Sequence, residues 1–515
     1  MHSFNSQEGL VSVASLAIYS VHARYKKCVF IPIQMNHSTL KSDYLYQQVI
    51  TVIRDMVEQE LLNPGDKLPS LRAMASRLRV SIPTVQQAYQ HLEMSGQIVA
   101  REKSGYFLQD GQQTATPQRS KLPAKPVMVN KQQLIEHVYE GIHLSDVAPL
   151  GLANPVAASS PQQALARSMR QAMRQAQARM LDYGAIDGLK MLKAQVVQYY
   201  LALGLTVNSD ELIITNGAQE AIAIALQCVT QPGDIVAIES PCYFGIVELV
   251  ENLGLKAIEI PVCPDDGIWL DDLSAALARH PIKACLFSTS INNPLGSQMP
   301  ESRMQQLLQL LRAHEVVLIE DDVYGDLYFG EQRVRPAQCF AQPGEVLTCS
   351  SFSKTVAPGY RVGWMLAGPQ SARAKRFKRA LSCSAPMMNQ WALADFMASG
   401  EFQRHLRQLR KRLFDNKQKM RLAVQKYFPD HVRISDPKGG CVLWLDLGDE
   451  YDGGLFFQLA LQAGISVAPG AIFSAYERYR SCVRISYGLP WCDKMEGYVR
   501  TLGELVVQAK KQPHL

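Results

Sequence analysis

No stretch of this chain approaches the ~20 consecutive apolar residues that a membrane-crossing helix needs. The nearest, GLVSVASLAIYSV at 9–21, is short, and His22, Arg24, Lys26 and Lys27 follow it. With no basic segment in front and no small-residue cleavage site behind, it does not read as a secretory leader. The first 34 residues show no helix caps or clear periodicity, whereas Met35 opens a more ordinary start. Residues 1–40 are therefore expected to form a poorly ordered extension. Cysteine is present but unorganised. The 11 cysteines make no CxxC pair and no cluster with histidine, so no metal site is expected, and free thiols in a reducing cytoplasm are. A surplus of one charge is lacking too: 53 Lys and Arg stand against 47 Asp and Glu, a net of +6. That permits contact with an acidic polymer without demanding it. What remains is 515 residues of ordinary soluble composition, 47% hydrophobic, enough for two or three domains and at least one large core.

Organised pattern begins at Tyr44. In YLYQQVITVIRDMVEQELL the apolar residues Leu45, Val49, Val52 and Met56 recur at three and four, as one face of a helix requires. NPGDKLPS breaks the helix at Pro64 and Gly65. Ser70 is placed to cap a second helix, SLRAMASRLRV, with Leu71, Met74, Ala75 and Leu78 inward. Ser81 is placed to cap a third, SIPTVQQAYQHLEMSG, with Pro83 tolerated in the first turn and Gly96 at the end. QIVAREKSGYFL then reads as two strands around a Lys103-Ser104-Gly105 turn.

Helices joined by a tight turn and followed by a hairpin make a winged helix-turn-helix over residues 41–110. Its third helix would enter the major groove of double-stranded DNA, exposing Thr84, Gln86, Gln87 and Gln90. Arg72, Arg77 and Arg79 would meet phosphates, with Arg101 and Lys103 on the wing. Charge alone does not decide this, since residues 41–108 hold eight basic and seven acidic side chains. A small helical docking module fits the same pattern. The run LNPGDKLPSLRAMASRLRVSIPTVQQAYQHLEMSGQIVAREKSGYFL resembles the DNA-binding domain of the GntR family of bacterial regulators, in its PGDKLPS turn and its VS..TV..AY..LE..G segment. Ile82-Pro83 departs from the polar or basic residues usual there, which bears on the identity of the base contacts.

Residues 111–147 begin GQQTATPQRSKLPAKPVMVNKQQ, rich in Gln, Thr, Pro and Lys without apolar period, and read as a semi-extended tether. From 148 to the end, apolar strands alternate with amphipathic helices: ELIIT then AQEAIAIALQCV, DIVAIES then GIVELVENL, KACLFST then SRMQQLLQLLRAH, and VVLIEDD. Such alternation predicts an α/β body, a mostly parallel sheet with helices on both faces, whose ligands sit beyond the carboxyl ends of the strands.

The polar residues collect at those ends. Gly217, Ala218 and Gln219 open a helix, where free N–H groups suit a phosphate; a plain turn between strand and helix is the alternative. Tyr243 follows DIVAIES and presents a ring able to stack on a flat ligand, although a tyrosine here also serves as core. Asn293, in NNPLG, is placed to donate to a phenolic oxygen or simply to make a turn. Asp321 emerges from an apolar strand, with Asp322 beside it and Tyr324 three residues on. A carboxylate there needs a facing cation. A protonated ring nitrogen at ~4 Å and an effective dielectric of ~20 is worth about 4 kcal/mol, and it is the partner that makes pyridoxal phosphate an electron sink. In SSFSKTVAPGYRVGW, Lys354 is the amine to condense with the cofactor aldehyde, while Ser351, Ser353 and Arg361 take the phosphate.

The order GAQ, P-x-Y, NP-x-G, D-x-x-Y, SFSK-x-x-x-P-G-x-R resembles class I aminotransferases of pyridoxal-phosphate fold type I, from about Gly151 onward. The resemblance implies pyridoxal 5′-phosphate bound through a Lys354 aldimine, and a small C-terminal α+β subdomain containing Gly439-Gly440-Cys441 and Pro469-Gly470. It implies that Tyr183 reaches the cofactor phosphate of a neighbouring subunit and that Arg484 holds a substrate carboxylate. Lys190 and Lys193 stand where the family has an arginine-containing segment. A GntR-type reader joined to such a body resembles the MocR subfamily of transcriptional regulators. That implies a head-to-tail homodimer in which the cofactor, alone or with an amino compound, is the signal. A working aminotransferase with a DNA-binding appendage is the alternative, and a pyridoxal enzyme of another reaction type is a weaker third.

Overall fold

The computed structural model describes residues 45–511 apart from 60, 64, 95–96, 102–103, 109–115, 118, 130–134, 137, 141–145, 156–160 and 178–180. The expected extension 1–40 and Lys103 lie outside these residues. The described chain falls into two compact units: one runs to Leu61 and resumes over Ser70–Ala88, and the other takes Leu62–Pro69 and everything from Tyr89 on.

In the first unit the helix Leu45–Glu58 buries Val49, Ile53 and Met56. The expected stripe through Leu45 and Val52 is corrected here, since Leu45 is 53% exposed and Ile53 takes the inward place. The run VITVI offers two overlapping helical faces, and packing selects between them. Helix Leu71–Leu78 starts at Ser70, whose hydroxyl accepts the Ala73 N–H at 3.2 Å. It ends at Arg79, in the left-handed region at φ 54°, and Ser81 caps the helix Ile82–Met94 by accepting the Thr84 N–H at 3.2 Å. Met74, Ala75, Val85 and Ala88 are the buried residues of these two helices within the unit.

The second unit contains the hairpin β1 (Ile98–Arg101) and β2 (Gly105–Leu108), antiparallel with Ile98 opposite Leu108. Lys67 bridges Phe107, and Tyr89 packs edge-on against Tyr106 while its hydroxyl donates to Pro69 O at 2.7 Å. Among its described residues the connector 111–147 is tied to the body, where Val127–Met128 pairs antiparallel with Lys256–Ala257. Arg119 pairs with Asp272 at 2.5 Å and lies 4.1 Å over the Trp269 ring, and Tyr476 Oη donates to Lys125 O at 2.6 Å.

The body is built on β3 (Val127–Met128), β4 (Leu212–Thr215), β5 (Ile235–Ser240), β6 (Lys256–Cys263), β7 (Gly267–Ile268), β8 (Ile282–Phe287), β9 (Val317–Asp321), β10 (Val346–Ser351) and β11 (Gly363–Leu366). They form one sheet in the order β3-β6-β5-β8-β9-β10-β11-β4, with β7 added on β6. From β6 to β10 every pairing is parallel, and β11 runs antiparallel to both β10 and β4. Neighbouring residues of one strand enter different cores: Ala237 and Leu318 belong to one apolar cluster, Val236, Ile238 and Ile319 to another. A strand buried on both faces needs a helix layer on each side, as alternation in the sequence predicts. A second, antiparallel sheet, β12 (Arg433–Ile434), β13 (Val442–Asp446), β14 (Ala468–Pro469) and β15 (Cys482–Ser486), has the order β12-β13-β15-β14. Helices Glu401–Tyr427, Gly453–Gln462 and Asp493–Val506 accompany it as the small α+β part. Among the described residues no helix is long and apolar enough to cross a membrane, and no group of three metal-ligating side chains occurs.

Candidate functional site

Parallel pairing of β9 with β10 sets Asp321 opposite Cys349, so both strands deliver their last residues to the same sheet edge. The Asp321 carboxylate accepts the Val323 N–H at 3.1 Å. Burial pushes its acid up to about 6, a rise that this hydrogen bond and the Lys354 cation oppose and the Asp322 charge assists. Asp322 is turned away and is structural: it accepts from Ser290 Oγ at 2.7 Å and pairs with buried Arg333.

Lys354 follows β10 in the loop toward Arg361, and its Nζ donates to Ala153 O at 2.8 Å. Burial draws the amine below its usual value, and the cations of Arg484 and Arg361 act in the same direction; Cys441 and Asp321 act against it. The Tyr324 hydroxyl is buried with no hydrogen-bond partner among the described residues. Arg484, 2% exposed on β15, donates to Asn293 Oδ1 at 3.1 Å and to Gly151 O at 2.7 Å, and its Nε has no acceptor there. The Asn293 oxygen accepts from Arg484, so the donor expected of this residue is its amide nitrogen.

The opposite end of the site is made of backbone. β4 leads into Gly217, at φ 87°, which caps the helix Ala218–Val229, so the amides of Gly217, Ala218 and Gln219 stand at the open helix end. Arg361, itself left-handed at φ 52°, donates to Asn216 O at 2.9 Å. The approach is limited by glycine. A Cβ on Gly217 would lie 2.7 Å from Arg361 Nη2, and one on Gly363 would lie 2.6 Å from Gly217 C and 2.9 Å from Ala218 N. Ser351 is committed to the turn, donating to Val362 O at 3.0 Å and accepting the Ser353 N–H at 3.0 Å, while Ser353 is half-buried. Gln219 Nε2 donates to Gly245 O at 2.6 Å, and a Cβ on Gly245 would meet the Tyr243 ring at 2.6 Å, which fixes the place of that ring.

Tyr183 is 91% exposed, next to Leu181 at 86%, and its ring is not part of this enclosure. In the first unit Arg72, Arg77, Arg79, Gln86 and Gln87 are exposed, whereas the Thr84 hydroxyl lies 2.7 Å from that of Ser81. Gln90, in the second unit, is exposed too, and Arg101 stacks 4.4 Å over Phe107. Sequence reasoning missed Gly363 and the pairing of buried Lys378 with half-buried Glu220. The glycine two residues after Arg361 was a usable signal; nothing in the sequence links Glu220 to Lys378.

Residues 148–491 match the family described as aminotransferase class I and II, and residues 45–108 match the gntR family of bacterial regulatory proteins. The chain is 36% identical to the HTH-type transcriptional regulator YjiR of Escherichia coli (strain K12) over 465 residues, 90% of this chain and 99% of that one. It is 26% identical over 433 residues to the probable rhizopine catabolism regulatory protein MocR of Rhizobium meliloti, 82% of this chain and 86% of that one. Among solved structures, LysN, an α-aminoadipate aminotransferase of Thermus thermophilus complexed with N-(5′-phosphopyridoxyl)-L-leucine, superimposes with a TM-score of 0.67 at 27% identity, covering 73% of this chain and 94% of that one.

Proposed function

The chain belongs to the MocR-type transcriptional regulators, GntR-family readers whose body is of the class I and II aminotransferase family, and from that membership we propose that it binds double-stranded DNA under the control of pyridoxal 5′-phosphate held on Lys354. The residues present fit that cofactor. The Tyr324 hydroxyl is buried without a partner and would be satisfied by a ring hydroxyl, and the glycines at 217 and 363 let the Arg361 guanidinium and β11 approach the Gly217–Ala218 turn where a Cβ would clash, which gathers that cation and the open amides at one place. When bound, the cofactor supplies an aldehyde for amines and a protonated ring nitrogen that draws electrons.

Each residue then has a defined task. Lys354, drawn toward its neutral form, offers the free amine that attacks a carbonyl. Asp321 holds a proton at mildly acidic pH when alone, and a cation facing it restores the carboxylate. Arg361, Ser353 and the open amides of Gly217, Ala218 and Gln219 bind the phosphate, with Ser351 bracing their loop. Tyr243 covers a ring face, Asn293 and Tyr324 orient the ring hydroxyl, and Arg484 takes the carboxylate of an amino compound acting as effector. Tyr183, exposed on its own chain, reaches the phosphate of the partner subunit in a homodimer. Arg72, Arg77 and Arg79 contact DNA phosphates, and Thr84, Gln86, Gln87 and Gln90 base edges.

The observation that carries the reading is geometric: Lys354, in the loop after β10, has its amine on Ala153 O at 2.8 Å, Asp321 ends the neighbouring β9, and Arg484 holds Asn293 at 3.1 Å. A second reading, transamination by the same residues, is favoured by the retention of Lys354, Asp321 and Arg484 together. Selection of DNA from a random pool by the purified chain tests the two, run with and without pyridoxal phosphate and candidate amines. A recovered sequence bound several-fold differently in the two conditions supports the regulator. Unchanged affinity, with amino-group transfer at about 1 per second or faster, supports the enzyme.

A further inference from the structure

The proposed phosphate cradle contains an acid. Glu220 is the third residue of the helix Ala218–Val229, and its carboxylate reaches back over the turn. Its Oε2 accepts the Asn216 N–H at 2.6 Å, and its Oε1 accepts from Asn216 Nδ2 at 3.2 Å. This is a capping contact, and it holds the turn from which Asn216 O accepts Arg361 at 2.9 Å. Mechanically the acid helps, because it consumes the Asn216 amide and leaves those of Gly217, Ala218 and Gln219 directed at a ligand. Electrostatically it harms, since a carboxylate in the first turn opposes any anion bound at the same helix end.

The conflict is resolved from another helix. Lys378, on Ser371–Leu381, is fully buried, and its Nζ donates to Glu220 Oε2 at 2.9 Å and to Ser382 Oγ at 2.6 Å. Although burial raises the Glu220 acid, the hydrogen bonds from Ser382, Asn216 and Lys378 together with the lysine charge bring it below its ordinary value, so it stays ionised and paired. The other buried lysine near this edge, Lys193, is bound to Asp187 at 2.8 Å and does not share this task.

We propose that Lys378 is a positioning residue for the cofactor phosphate: it cancels the charge of Glu220, so that the acid braces Asn216–Gly217 without repelling the bound anion. The proposal rests on the reading of this site as one for pyridoxal phosphate. Three variants of the full chain test it, Lys378→Met, Glu220→Gln and the double variant, with pyridoxal phosphate and unphosphorylated pyridoxal each titrated by equilibrium dialysis. One uncancelled charge beside the phosphate should weaken pyridoxal phosphate about ten-fold in Lys378→Met and leave pyridoxal nearly unchanged. The double variant should recover most of that loss. Glu220→Gln alone, which leaves an unopposed cation near the phosphate, should bind pyridoxal phosphate several-fold more tightly, and this arm decides the matter if Lys378→Met does not fold. Equal losses for the two ligands, no recovery in the double variant, or no gain in Glu220→Gln overturns the proposal. A wild-type chain that binds neither ligand overturns the reading beneath it instead.

Discussion

Substituting Gly217 by alanine isolates the phosphate cradle. The residue sits at φ 87° and ψ 176°, a region essentially reserved for glycine, where a residue with a Cβ pays of order 1–3 kcal/mol. The new methyl would also stand 2.7 Å from Arg361 Nη2. That contact is with the end of a long side chain, so the guanidinium yields and gives up its 2.9 Å bond to Asn216 O. A displaced arginine no longer donates to the phosphate, and a hydrogen bond to a charged group is worth about 1.5–3 kcal/mol. Each ~1.4 kcal/mol being a factor of ten, Gly217→Ala should weaken pyridoxal phosphate roughly ten- to hundred-fold. Equilibrium dialysis against pyridoxal phosphate and pyridoxal measures this directly. Pyridoxal, lacking the phosphate, should lose no more than a few-fold. Equal weakening of both ligands, or none for the phosphorylated one, would refute the assignment of this turn.

Asp321→Asn changes how stability depends on pH. In the cofactor-free fold burial pushes Asp321 up to about 6, against an ordinary value near 3.8. Between those values the folded chain holds more protons than the unfolded one, so this group's contribution is present at low pH and is lost as pH rises through 6. The denaturant midpoint of the cofactor-free wild type should therefore fall relative to Asp321→Asn from pH 4 to 6.5, and parallel curves would contradict the burial of this acid. In the reader, Arg72→Ala should weaken binding on all DNA sequences alike and reduce the slope of log affinity against log salt by about 1; an unchanged slope removes Arg72 from the phosphate contacts.

Local signals in the sequence carried the framework. Ser70 and Ser81 cap the helices predicted from them, because capping is decided within four residues. The doubly covered sheet follows from strands such as IVAIES, whose first four residues are all apolar. Where two helical faces compete locally, as around Val52 and Ile53, pattern could not choose, since the choice belongs to the residues packed on the other side. The connector shows the same limit. Two of its ties to the body, one arginine on Trp269 and Asp272 and one tyrosine on a backbone oxygen, leave no periodic trace.

At the site, motif order brought Lys354, Asp321, Tyr324, Asn293 and Arg361 into view, because each ends or follows one of the strands β8, β9 and β10. Pairings beyond the reach of a single turn stayed hidden: Ser351 to Val362 and Asp322 to Arg333, each 11 residues apart, and Glu220 to Lys378, 158 apart. These contacts decide which of several adjacent polar residues faces a ligand, and composition says nothing about them.

The attachment of the cofactor tests the whole account most directly. The purified chain, loaded with pyridoxal 5′-phosphate, is reduced with borohydride, digested and mapped by mass spectrometry. A pyridoxyl-phosphate label on Lys354, and its loss together with the visible absorbance in Lys354→Ala, is the predicted result. A label on other lysines only, or a chain that takes up no cofactor, would contradict it.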